Sequence, residues 1–157
     1  MTAQQIVLSL TIFFHDIFTV LWIGGMFTLG IIVLPSVRSA LTAEGEIKKL
    51  VKAMQTRLES FAAVSMVGLI LTGMLLARRN VNFDGLLALS NAFSLTLAIK
   101  HVLVLMMVAI SLYRSVLLGK RKQPLSAKQE KLKLRLLFFN ILLGAAVLFA
   151  TAVNAAV

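Results

Sequence analysis

The chain contains no cysteine. That absence excludes disulfides, thiolate metal sites, iron–sulfur clusters and thioether-attached haem together, so any metal must be held by histidine, methionine or oxygen ligands. Histidine is scarce, with His15 and His101 as the two instances. Acidic residues number 6 against 16 basic ones, and no two acids stand at catalytic spacing. A phosphate loop, a dinucleotide fingerprint and a nucleophile elbow are missing as well, which removes the common soluble-enzyme classes. Proline occurs twice. Pro35 closes a long apolar run, where a ring lacking an N–H is expected to end a helix.

What the chain has in quantity is apolar surface. Of 157 residues, 59% are hydrophobic and the mean hydropathy is +0.94, well above the range of a soluble domain of this size. A membrane-spanning helix needs about 20 mainly apolar residues, and four segments supply them. The expected fold is all-α, a single transmembrane domain over residues 1–157 forming an up-down-up-down four-helix bundle, with helices at about 5–34, 43–78, 91–118 and 127–156. The first apolar run has no basic segment before it and no convincing cleavage site, so it is expected to be retained as a helix.

The net charge of +10 is arranged as membrane topology would arrange it, which argues against nucleic acid as a partner. Arg38, Lys48, Lys49, Lys52 and Arg57 lie between the first two apolar segments, and eight more cations lie between Arg114 and Arg135. Arg78 and Arg79 mark the opposite side. By the positive-inside rule the two basic connections are cytoplasmic and both termini lie outside a plasma membrane.

Local signals refine the boundaries. Thr42 is a candidate cap for a second helix that begins in water, where Ile47, Leu50, Val51, Met54, Leu58 and Phe61 follow the helical period. The residues Gly85 to Asn91 read as a short interfacial helix, with Ser90 or Asn91 capping the third transmembrane helix and Gly119 stopping it. Lys120 to Pro124 make a tight turn, and Ser126 to Gln129 form a capping box for the fourth helix. Small or hydroxylated residues mark inward faces: Gly24, Gly25 and Gly30, then Ser65, Gly68 and Thr72, then Asn140, Gly144, Thr151 and Asn154.

An ionisable residue inside an apolar helix is expensive and points to function. His15 and Asp16 on the first helix, and Lys100 and His101 on the third, meet this description. Counting outward from Leu34 and from Gly119 puts both histidines about 27 to 29 Å from the inner boundary. On parallel, diagonal helices two imidazoles at one level suit the axial sites of a b-type haem in the outer leaflet. Trp22 and small neighbours are candidate haem-slot residues, with Arg78, Arg79 and Lys100 as cations for the propionates. The same rotation places Asp16 and Lys100 on one side, as a candidate buried ion pair. The bland alternative is that each histidine only satisfies a backbone carbonyl. A further alternative is copper, since thioethers suit Cu(I), but Met26, Met66, Met74, Met106 and Met107 lack ligand spacing and read better as packing.

The stretch His15, Trp22-Ile23-Gly24-Gly25, Val33-Leu34-Pro35 and Arg38 resembles the first helix of the CopD-like membrane family, known as copper resistance protein D. Leu71-Thr72-Gly73, Lys100 with its apolar run, and Leu142-Leu143-Gly144 continue the resemblance. It implies copper handling through His15, Trp22 and Lys100. The H-x6-W pattern with a lysine on the third helix is also similar to HemJ-type protoporphyrinogen oxidases, which are haem proteins, and this similarity implies an oxidoreductase assisted by Lys100 or Asp16. His101 lies outside the matched pattern and favours two-histidine haem ligation. The expectation is therefore a cytochrome b-like protein carrying haem b, with electron transfer or redox sensing as its role. Its expected partners are the lipid bilayer, a redox protein or quinone, and a second copy of the chain.

Overall fold

The computed structural model describes residues 1–80, 83–119 and 125–156. Four helices in it are long and apolar enough to cross a membrane, and no strand occurs among the described residues. We number them α1 (Ala3–Ala40), α2 (Glu44–Ala77), α3 (Ala92–Leu112, continued as a π-helix over Tyr113–Gly119) and α4 (Ala127–Ala156). The protein is thus helical and multi-pass. Its apolar side chains face outward in large numbers, Phe13, Ile31, Val64, Leu105 and Phe149 among them, as hydrocarbon in place of water allows.

The chain divides into two compact units, Met1–Arg79 and Asn80–Val157. In the first, α1 and α2 pack along each other as an antiparallel hairpin through the short link Leu41–Ala43. The contacts that set the register are His15 with Thr72, Phe18 with Gly68, and Gly25 with Leu58. As the number rises on one helix it falls on the other. A Cβ on Gly68 would stand 2.2 to 2.6 Å from three ring atoms of Phe18, so this crossing requires glycine.

Pro35 does not end α1. The helix runs on to Ala40, because residues Thr28–Val33 form a π-helix in which the Leu34 N–H reaches back to the Leu29 carbonyl. That wide turn immediately before the proline relieves the collision between its ring and the preceding turn. A count of depth from Leu34 consequently starts inside a continuing helix. A second π stretch, Val20–Gly24, follows Thr19, whose hydroxyl bonds the His15 carbonyl at 2.9 Å. Such back-bonding perturbs the helical ladder locally.

α2 begins at Glu44 with Ala43 as the N-cap, one residue past Thr42, and no side chain caps it. Glu44 and Glu46 in its first turn meet the positive end of the helix dipole instead.

In the second unit α3 is capped by Asn91, whose side chain accepts from the Ser94 N–H at 2.7 Å. The residues before it are turns and bends, not the expected interfacial helix. Asp84 holds that segment by accepting from the Ser90 hydroxyl and from Asn91 Nδ2. These polar side chains favour local turns over helix. The capping box of α4 forms as its sequence implies, with Ser126 and Gln129 exchanging hydrogen bonds at 3.0 and 3.4 Å. The tight turn at Lys120 to Pro124 lies outside the described residues. α4 packs on α3 through Leu137, Ile141, Gly144 and Val147, with Asn140 reaching Ser111 Oγ at 2.9 Å. Thr151 turns away, exposed, with its hydroxyl bonded to the Val147 carbonyl.

Candidate functional site

The best-defined polar site lies inside the first unit, on the face α1 turns to α2. His15 Nδ1 stands 2.8 Å from Thr72 Oγ1, and the Thr72 hydroxyl donates to the Gly68 carbonyl at 2.7 Å. Because that hydroxyl has one proton, already committed to Gly68, its oxygen is the acceptor toward His15. Nδ1–H is therefore the ring's donor toward Thr72. Gly73 lies beside the ring, since a Cβ there would sit 3.4 Å from His15 Cε1.

Two turns further along α1, on the π stretch, Trp22 is 2% exposed and its indole N–H has no hydrogen-bond partner among the described residues. Ser65 on α2 is fully buried, and its hydroxyl also lacks a partner there. The register set by His15–Thr72 and Gly25–Leu58 puts Ser65 near the level of Trp22. Buried indole and hydroxyl groups ordinarily find partners, and π segments concentrate at functional positions.

The other candidate residues are distributed as follows. Asp16 faces outward from α1 and is exposed. Arg78 and Arg79 are exposed at the end of α2, with Arg78 as its C-cap, about 9 Å along the axis beyond Thr72. Lys100 and His101 belong to the second unit and are half-buried on α3. His101 Nδ1 donates to the Leu97 carbonyl one turn back, at 2.7 Å. Here too Nδ1 carries the N–H that the ring uses. That bond is also what the bland alternative expected of a helical histidine. Met26 is buried on α1. Among the described residues no group of three or more His, Asp or Glu side chains converges.

Thr72 and Gly68 were visible in the sequence as part of a small-residue stripe, but their service to His15 was not. The signal was present in the spacing: a glycine and a threonine four apart on α2, opposite a histidine and a phenylalanine three apart on α1. No known family model matches the chain, and neither a curated protein nor a solved structure shows significant similarity to it.

Proposed function

We propose that this chain is a b-type haem-binding membrane protein in which His15 and His101 would hold the haem iron, with electron transfer or redox sensing as its role. The observation that supports this reading is the shared Nδ1 hydrogen bond of its two histidines. Each lies in the apolar part of a long helix, and each is held through Nδ1 by an oxygen of its own unit, which leaves Nε2 as the nitrogen that would face a metal. A ligating imidazole needs that arrangement, with the second nitrogen held by an outer hydrogen bond. The donor set fits haem iron, and a haem so held would supply one-electron chemistry.

In this reading the four helices form an up-down-up-down bundle in a plasma membrane with both termini outside. The chain's own residues bind and orient. Thr72 and the Leu97 carbonyl hold the two rings, Trp22 would line the haem slot, and Arg78, Arg79 and Lys100 would receive propionate charge. Asp16 pairs with Lys100, since a lone carboxylate in a spanning helix is costly. A quinone or redox protein would exchange electrons with such a site, and a second copy of the chain would complete the assembly. The resemblance to the CopD-like family supports a copper-handling rival, because His15 and Trp22, which carry that resemblance, both turn toward α2. The HemJ-like oxidase is the other relative by pattern.

Optical spectra of detergent-purified protein test the ligand assignment. Wild type should show a reducible Soret band with low-spin character. His15→Ala and His101→Ala should each convert it to a high-spin spectrum or abolish it, whereas Met106→Leu should leave it unchanged. A low-spin spectrum that persists in either alanine variant contradicts the assignment.

A further inference from the structure

α4 carries a feature that haem binding does not use. At 100° per residue, Lys128, Lys131, Leu132 and Arg135 fall on one side of the helix, and all four are exposed. Phe138, Phe139, Leu142 and Phe149 continue that same side toward the C-terminal end, 45 to 72% exposed. The side facing α3 is opposite and carries Leu137, Asn140, Gly144 and Val147. One stripe of α4 is thus basic for its first two turns and aromatic or aliphatic beyond them. The change comes at a definite point, since no charged residue follows Arg135. The uncharged remainder of the helix, 21 residues from Leu136 to Ala156, is about the length that spans 30 Å of hydrocarbon. A span that begins at Leu136 would set Lys128, Lys131 and Arg135 at the headgroup level, above a stripe fit to meet acyl chains. Lys133 lies on the other side of the helix and is already engaged.

We infer that this stripe is a docking site for an anionic phospholipid. Its phosphate would lie against Lys128, Lys131 and Arg135 and its chains along Phe138, Phe139 and Leu142. Three cations within about 10 Å along the axis form a compact target for a phosphate. Arginine can hold it with two parallel hydrogen bonds, while the lysines act as point charges. A soluble acidic partner would be served by the basic turns alone and would gain nothing from their continuity with exposed aromatics. A lipid is matched at both ends.

Spin-labelled lipids in proteoliposomes measure the preference of the chain for phosphatidylglycerol over phosphatidylcholine. Wild type should prefer phosphatidylglycerol, and the preference should shrink as salt rises from 0.05 to 0.5 M. Each cation is worth up to roughly fivefold, so Lys128→Gln/Lys131→Gln/Arg135→Gln, which removes three, should lower the preference by at least roughly fivefold. The charge-conserving Lys128→Arg/Lys131→Arg/Arg135→Lys should retain it. An unchanged preference in the glutamine variant overturns the assignment. Should that variant fail to fold, the wild-type salt series decides alone, and a preference absent or indifferent to salt overturns it equally.

Discussion

Thr72 is the residue on which the state of His15 depends. Its hydroxyl is a relay with one direction, donating to Gly68 and accepting from Nδ1, and it holds the ring in one tautomer. Thr72→Val keeps the shape and removes the acceptor. A neutral hydrogen bond of this kind is worth about 1 kcal/mol, so roughly a fivefold shift of the tautomer population toward Nε2–H is expected. Nitrogen-15 spectra of histidine-labelled protein report it directly, as a pyrrole-type Nδ1 and pyridine-type Nε2 in wild type that average in the variant. This readout stands apart from haem. In haem-loaded protein the same variant should raise the midpoint potential, because an imidazole without its outer acceptor is a poorer donor to ferric iron. Identical nitrogen shifts in wild type and Thr72→Val would remove Thr72 from its positioning role.

Among the helices, the α1–α2 crossing is the most exacting. Phe18 lies over Gly68 and stacks on Phe14 at 6.3 Å, so a side chain added beneath it must displace the ring from that stack. Gly68→Ala should cost about 1–3 kcal/mol by overpacking, read as a loss of thermal stability in detergent. Phe18→Leu in the same chain should recover most of it, and simple additivity of the two changes would contradict the contact. Helix existence and capping were legible from apolar run length and from Asn91, Ser126 and Gln129, because these signals act within a few residues of where they are read. The continuation of α1 through Pro35 was not, since a π turn depends on how the ladder shifts over Thr28–Val33 and leaves no composition signature. The His15–Thr72 bond was hidden for a related reason. It joins residues 57 apart in sequence, and only the register of two packed helices brings them together.

At the scale of the whole molecule, the proposed orientation rests on charge. Single cysteines introduced into this cysteine-free chain test it without background. Ser126→Cys should react with an impermeant maleimide only from the cytoplasmic face, and Leu87→Cys, 67% exposed in the turn before α3, only from outside. The reverse pattern would invert the topology and put the Lys128 stripe in the outer leaflet.

His15 and His101 lie in long apolar helices of separate units, each held by its own hydrogen bond, and the proposed function requires that haem iron take both. The most direct test is a pyridine haemochromogen assay, run with metal analysis, on protein purified from cells supplied with haem. One haem b per chain and no stoichiometric copper is the predicted result; a haem-free chain, whether colourless or loaded with copper, would contradict it.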